Sequence, residues 1–417
     1  MKRRIKWFLV TVTAVVMVLG TSVTAMAASS GSGWKQEGNE RCYVDSHGNK
    51  VTDKWLTING KKYRFDSDGN MLYGWHYEGD DIYYLGGKDD GAMKTGWLCL
   101  TYNRFNIPDE GDVSRTKSPG SGAECFYFLP NGKAVKAKDG EEYAMKAFSG
   151  RRYYFDKNGV MQTGWAAVAP KAEDDVTGIS KFRYFGGADD GKMNKGWVFL
   201  NTHPSGSDDA SDITASSNPK PEEGVGHWYY FDSEGVPKYL KSDAKDIKAA
   251  TARISGDSYF FDEYGCVKNG LIRFNLKSGD RISAYFNEDG KMQTGRIDNV
   301  KEADGTTASY YFNTSGDDRG CGFTGERDHY LYSNGKLVKA DRGAGFEVFN
   351  VNQKAYLVNE EGKAQTTDQF YKVAGKYAYE YEAGKIYRVN DKKERRYEIF
   401  SWGALPSIAY TDTYNLK

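Results

Sequence analysis

Short bursts of alternating aromatic and polar residues run along this chain, each closed by a glycine turn. Tyr63-Arg64-Phe65-Asp66-Ser67-Asp68-Gly69-Asn70-Met71 is one, and Tyr153-Tyr154-Phe155-Asp156-Lys157-Asn158-Gly159-Val160-Met161 is another. Such alternation gives a strand one apolar face. Asp-x-x-Gly or Asn-Gly then turns the chain, with glycine in the left-handed conformation that other residues adopt only at a cost. The pattern predicts a hairpin whose first strand is the aromatic triplet and whose second carries Met71, Met161, Met193 or Met292 as an adaptable filler. One hairpin cannot bury its apolar face alone, so each must stack on its neighbours.

Further bursts stand at Trp228 to Gly235, Tyr259 to Gly265, Tyr285 to Gly290, Tyr310 to Gly316, Tyr330 to Gly335 and Tyr356 to Gly362. A period of about 20 to 30 residues is that of a solenoid of supersecondary pieces. Gly-Trp follows several bursts, and Trp97 and Trp197 each lead into a Gly/Ser-rich insertion, at 101–124 and 201–226. The fold expected is all-β: an elongated solenoid of stacked two-stranded β-hairpins in about three diverged blocks. The divisions are 28–97, 98–197, 198–296, a degenerate stretch 297–390, and a tail or cap at 391–417.

Composition narrows the function. Among 417 residues, 57 basic side chains cancel 57 acidic ones, so the chain has no electrostatic footprint for nucleic acid or an anionic membrane. Met1 to Lys6 is basic, Trp7 to Gly20 is mostly apolar, and Ala25-Met26-Ala27 offers a small-x-small cleavage site, so 1–27 reads as a secretory signal. No later segment is apolar and long enough to span a bilayer. Leu405-Pro406-Ser407-Ile408-Ala409 lacks the Thr-Gly, apolar stretch and basic tail of a sortase signal, so attachment to a surface would rest on the chain's own binding sites. Of Cys42, Cys99, Cys125, Cys266 and Cys321, the middle pair could clasp the first insertion, but the reading favoured is that all five are small apolar packing residues.

Calcium and catalysis are the competing chemistries. Gly186-Gly187-Ala188-Asp189-Asp190-Gly191 begins like a calcium-binding nonapeptide, then exchanges Asp and Gly, and its copy at Gly86 to Gly91 is not contiguous with it. No EF-hand spacing occurs. A structural turn is expected, with no metal and no cofactor. The five histidines are scattered, no nucleophile or phosphate-loop motif is present, and the recurring aspartates sit at turns. No catalytic residue is expected.

The pattern Y-Y-F-D-x-x-G-x-M-x-T-G-W, cleanest at Tyr153 to Trp165, resembles the cell-wall-binding repeats of Gram-positive surface proteins. These include choline-binding, glucan-binding and toxin-type oligosaccharide-binding repeats, and the resemblance spans roughly 33 to 390. It implies a secreted, non-catalytic protein held non-covalently at the bacterial wall or surface by aromatic sites between hairpins. Its partner would be wall polysaccharide, teichoic-acid choline or another glycan. The alternative is a choline-binding adhesin whose insertions contact a host or protein partner. A quaternary ammonium is attracted to indole and phenol faces. The ligand-binding residues implied are Trp75, Trp97, Trp165, Trp197 and Trp228, with Tyr84, Tyr154, Tyr184 and Tyr230. Only Trp228 matches the tryptophan that opens the choline-type triplet; Lys62 there resembles the glucan-binding repeats, which puts a glycan ahead of choline. Trp34 is another Gly-Trp residue, whereas Leu271, Arg296 and Glu326 replace Trp later, so binding capacity is expected in the first half.

Overall fold

A computed structural model of the chain describes residues 32–101, 123–187, 190–204, 216, 218–222 and 224–417. The expected signal segment (1–27), residues 102–122 of the first insertion and residues 205–215, 217 and 223 of the second lie outside them. Ala188 and Asp189 of the Gly-Gly-x-Asp-Asp-Gly stretch do too. Apart from a 3-10 turn at Ile179–Lys181 and a four-residue helix at Ile247–Ala250, regular structure among the described residues is strand. Most of it is two-stranded antiparallel hairpins. No helix among these residues is long and apolar enough to cross a membrane.

The chain divides into two compact units, one ending at Thr95 and including Pro130–Lys133, the other comprising Gly96–Leu129 and Ala134–Lys417. In the first, Gly33–Glu37 pairs with Glu40–Val44, Lys54–Ile58 with Lys61–Phe65, and Trp75–Glu78 with Asp81–Tyr84. In the second, the pairs begin with Gly96–Thr101 and Ala123–Phe128, then Ala144–Phe148 and Arg151–Phe155, Trp165–Ala167 and Phe182–Tyr184, and Gly196–Leu200 and His227–Phe231. Larger sheets of three to five strands follow beyond Gly270.

The strands are paired in a different phase from the one the sequence suggests. The aromatic triplet is the second strand of its hairpin, and the strand holding the preceding Trp is the first: Trp197 lies opposite Tyr230, and Trp165 opposite Tyr184. Short hairpin turns such as Asn59-Gly60, Ser149-Gly150 and Ser255-Gly256 have both residues at positive φ. That is the type I′ geometry whose twist matches paired strands. The Asp-x-x-Gly turn instead joins one hairpin to the next, and the Met after it makes a single bridge, as in Phe65 to Met71 and Phe155 to Met161. The Asp side chain builds this turn itself: Asp156 Oδ1 accepts from the amides of Asn158 and Val160, each at 2.9 Å.

The Met residues stitch hairpins together. The Met71 amide donates to the Arg41 carbonyl at 2.7 Å, Met161 to Cys125 at 2.9 Å, and Met193 to Arg152 at 2.8 Å, each reaching the second strand of the preceding hairpin. The Met71 side chain, 3% exposed, then lies against Gly91 of the following turn, where an added Cβ would meet its sulfur at 2.3 Å. Under these contacts the third aromatics Phe65, Phe128, Phe155, Phe231, Phe286 and Phe312 are at most 1% exposed, and Phe261 2%.

The tail at 391–417 is integrated into the second unit. Asp412–Asn415 runs parallel beside Gly270–Asn275, and Tyr414 and Leu416 enter a core with Phe260, Phe274 and Phe286. Buried Glu302 accepts from the Tyr310 hydroxyl at 2.8 Å and the Ala409 amide at 2.8 Å, and pairs with Lys336 at 2.6 Å. The packing role for all five cysteines is corrected: Cys99 and Cys125 face each other across a hairpin and form a disulfide, while Cys42, Cys266 and Cys321 are buried free thiols. Cross-strand pairing sets the Cys99 and Cys125 Cα atoms 3.9 Å apart, a relation that spacing in sequence does not disclose.

Candidate functional site: aromatic platforms on the hairpins

Each Gly-Trp indole stands on one hairpin face beside a cross-strand tyrosine. Ring centroids are 5.4 Å apart for Trp34 and Tyr43, 5.2 Å for Trp75 and Tyr84, and 5.1 Å for Trp97 and Tyr127. They are 5.4 Å for Trp165 and Tyr184 and 5.0 Å for Trp197 and Tyr230. All are edge-to-face, the arrangement that ring quadrupoles favour.

The following hairpin supplies the floor. Trp97 lies 4.9 Å from Tyr153 and 5.9 Å from Phe155; Trp197 lies 4.7 Å from Tyr259 and 6.0 Å from Phe261. Trp34 repeats this with Tyr63 at 4.8 Å and Phe65 at 5.9 Å, and Trp165 with Tyr229 at 5.2 Å and Phe231 at 5.5 Å. These tyrosines and phenylalanines are the first and third aromatics of the next triplet. Sequence reasoning missed Tyr127, Tyr153 and Tyr259; the signal was present in the recurrence of the triplet, but the phase of strand pairing hid which ring meets which indole.

The platforms differ in exposure. Trp97 and Trp197 are 43% and 37% exposed, and Trp228 is 50% exposed beside Phe199, itself 56% exposed. Trp228 lies 6.5 Å from Trp197 and 5.3 Å from Phe199, so β-pairing collects Trp197, Phe199, Trp228 and Tyr230 on one hairpin face. Trp34, Trp75 and Trp165 are half-buried, and the Trp165 indole N–H donates to the Thr202 carbonyl at 3.1 Å. Burial raises the Tyr184 phenol above its ordinary pKa. Tyr154 differs from the other predicted tyrosines: it lies opposite Met145 and packs on Phe185 at 5.2 Å.

Trp55 holds the same strand position without a Gly before it, which is why the Gly-Trp pattern passes over it. Its cross-strand neighbour is Arg64. The indole N–H donates to Glu78 at 3.0 Å, Arg64 Nε donates to the same carboxylate at 2.8 Å, and His76 Nε2 lies 3.5 Å from it. Burial pushes the Glu78 carboxyl up, but hydrogen bonds from Trp55, His76 and Arg64 outweigh it and hold the pKa below normal. This hairpin face is closed by an ion pair.

Farther along, the strand positions held earlier by Trp carry Leu271, Arg296 and Glu326, opposite Tyr285, Tyr311 and Leu331. Rings here meet the chain's own cations: Arg296 stands 4.4 Å over Tyr330, Arg388 4.5 Å over Tyr379, and Arg395 4.2 Å over Tyr387. The turn aspartates are spent on amides and lysines: Asp90 pairs with Lys94, and Asp190 with Lys192 at 2.7 Å. Among the described residues no group of three His, Cys, Asp or Glu side chains is arranged to hold a metal ion.

The fold and these rings define a class: a hairpin-repeat protein with indole platforms at the strand positions after Gly. A choline-binding repeat model matches residues 51–97, and a putative cell wall binding repeat matches 148–161 and 222–236. Those three stretches are similar to choline-binding and cell wall binding repeats. Among curated relatives, it is 25% identical over 264 residues to Glucosyltransferase-S of Streptococcus mutans, covering 61% of this chain and 16% of that one. It is 24% identical over 357 residues to Glucosyltransferase-I of Streptococcus downei, covering 80% and 19%. The chain thus spans less than a fifth of the length of those relatives. Similar solved structures include choline binding protein F of Streptococcus pneumoniae with a peptidoglycan analogue (19% identical, 89% of this chain and 100% of that one, TM-score 0.42). Another is CbpJ of the same organism (19% identical, 88% and 100%, TM-score 0.38).

Proposed function

We propose that this protein is a secreted, non-catalytic wall-binding protein of a Gram-positive surface, holding its ligand on the aromatic platforms of Trp97 and Trp197. The carrying observation is that these two indoles are seated on the same kind of ring set as half-buried Trp34 and Trp165 yet keep 43% and 37% of their surface open. Tyr127 and Tyr153 complete the first platform; Tyr230, Tyr259 and Trp228 complete the second. Such a surface suits the face of a sugar ring or a quaternary ammonium, a cation contact being worth up to about 2 kcal/mol when desolvated. Single platforms are weak, and two in one chain give avidity on a polymeric wall. The family of the repeats supports a wall component as the partner, whether polysaccharide or teichoic-acid choline.

The test is retention of labelled protein on purified walls, competed with choline and with soluble glucan. Wild-type protein should be retained, and the paired variant Trp97→Ala with Trp197→Ala should elute early while melting cooperatively. Wild-type protein that passes straight through ends the proposal. Whichever soluble competitor releases it names the ligand class.

A further inference from the structure

Two rows of polar side chains cross the three-stranded sheet at its Asn275 end. Gly270–Asn275 is the middle strand, antiparallel to Arg281–Phe286 and parallel to Asp412–Asn415. Its residues Ile272 and Phe274 turn to the core that holds Phe260 and Tyr414. The residues between them take the other face, because side chains alternate along a strand. Register sets Arg281, Asn275 and Asn415 in one row there, and Ser283, Arg273 and Thr413 in the next. Arg281 and Arg273 are therefore diagonal neighbours on one face, within reach of each other for side chains of that length.

Like charges so placed repel, and no acid offsets them. Among the described residues neither arginine forms an ion pair, and the carboxylates around the face are committed elsewhere. Asp412 pairs with Lys268 at 3.1 Å, Asp280 accepts from the Ser278 hydroxyl at 2.8 Å, and Glu302 pairs with Lys336 at 2.6 Å. The Arg273 guanidinium carbon stands 5.3 Å over the Tyr410 ring, and Asn334 Nδ2 donates to the Tyr410 hydroxyl at 3.0 Å, so the head group has a fixed seat. Burial pushes the Tyr410 phenol up to about 12, and both Arg273 and Arg281 act against that rise, which places the two guanidinium groups in one neighbourhood.

Two buried polar atoms on this face are left without partners. Arg273 Nε has no acceptor. Asn275 Nδ2 donates to Asn415 Oδ1 at 2.9 Å, but Asn275 Oδ1 has no donor. An unpaired buried group carries a desolvation penalty that a bound partner recovers. The face thus lacks an anion for its arginines and a hydroxyl for its amide oxygen. It is open to solvent, with Arg281 exposed at the rim and Arg273 half-buried behind it.

We propose that Arg273, Arg281 and Asn275 form a binding site for a phosphate ester that also carries a hydroxyl, separate from the tryptophan platforms. Arg281 meets the oxyanion from the rim, and Arg273 donates to it through Nε–H, as planar guanidinium groups do with phosphate oxygens. The ligand's hydroxyl donates to Asn275 Oδ1. A neutral sugar leaves the two charges unmatched, and an ammonium ligand is repelled by them.

Glycerol 1-phosphate and methyl phosphate are the probes, the second lacking the hydroxyl. At pH 7.5 both are mainly dianions, the second phosphate pKa being about 6. Affinities come from the 31P resonance of each ester titrated with protein at constant ionic strength, and the Arg273 Nε–H resonance of 15N-labelled protein locates the site. Wild type should bind glycerol 1-phosphate about fivefold more tightly than methyl phosphate, with the Nε–H signal shifting. Arg273→Gln and Arg281→Gln should each weaken both esters about tenfold, and Asn275→Ala should remove only the preference for the hydroxylated one. The paired variant Trp97→Ala with Trp197→Ala should bind both esters as wild type does, so this site and the platforms fail or stand separately. An Nε–H signal that stays still, equal affinity of wild type for the two esters, or affinities that Arg281→Gln leaves unchanged each overturn the proposal. Arg281 is exposed, so its variant remains decisive if Arg273→Gln melts early.

Discussion

Cys99 and Cys125 are direct cross-strand partners, their Cα atoms 3.9 Å apart, and their disulfide closes the hairpin two residues beyond Trp97. A cross-link between positions 26 apart in sequence removes unfolded-state freedom worth about 3 kcal/mol in the chain-entropy account. Replacing both cysteines by Ala should lower the denaturant midpoint accordingly. Reduction of the wild type should have the same effect, and reductant should not change the double variant.

Trp97 and Trp165 should separate binding from stability. Trp97→Ala removes a ring 43% exposed that also packs on Tyr127, Tyr153 and Phe155, so wall retention should be lost while the melting temperature falls less than in Trp165→Ala. Trp165 is half-buried against Tyr184, Tyr229 and Phe231 and donates to Thr202, so Trp165→Ala should cost about 3 kcal/mol in chemical denaturation.

Gly91 and Gly60 both take positive φ, +64° and +79°, but only Gly91 faces a packed side chain. Gly60→Ala should cost about 1 kcal/mol, the backbone strain alone. Gly91→Ala must also displace the Met71 sulfur, 2.3 Å from the new Cβ, and should cost about 2 kcal/mol more. Equal losses in urea titrations would remove the Met71 seat as an organising contact.

Asp262 gives the chain a pH dependence opposite to that of most carboxylates. Burial, which the nearby Lys268 only partly offsets, pushes its pKa up from 3.8 to about 7. The fold therefore favours the protonated acid. Its stabilising contribution is complete below pH 3.8 and is lost as the pH rises through 7. Its Oδ1 accepts from the Tyr264 and Cys266 amides at 3.0 and 2.8 Å, and Asn287 makes the same turn with an amide oxygen at 3.1 and 2.9 Å. Asp262→Asn should therefore keep the turn and raise stability at pH 8 relative to wild type, by on the order of a few kcal/mol. An unchanged difference between pH 4 and pH 8 would contradict this.

Glu302 clasps the tail through the Ala409 amide and the Tyr310 hydroxyl, with Lys336 paired to it. Glu302→Ala would remove the acceptor of the Tyr310 hydroxyl and the Ala409 amide and leave half-buried Lys336 with the Ser407 carbonyl, a loss of about 3 kcal/mol. Limited proteolysis should then cut near Ala409 sooner than in wild type.

The repeated Tyr-x-Phe-Asp-x-x-Gly pattern determined the all-β class, the hairpin unit and the reading of the turn aspartates, and the Gly-Trp pairs placed their indoles in the first half. Local chemistry fixes these: alternation sets a strand face, and a short Asx side chain caps its own turn. Yet the pattern is compatible with two pairings of consecutive strands, and only the folded chain chose the one that puts Trp197 opposite Tyr230. That phase depends on long-range contacts, including the Met amide bonding to the preceding triplet and the Met side chain lying on the next turn's glycine. The same contacts decided that Cys99 meets Cys125, that Tyr154 faces Met145, that Trp55 is closed by Arg64 and Glu78, and that Arg41 lies on Trp34. A side chain's type is written in the sequence, but which ring it covers is set by register. Moving the register by one residue would turn every one of these side chains to the other face.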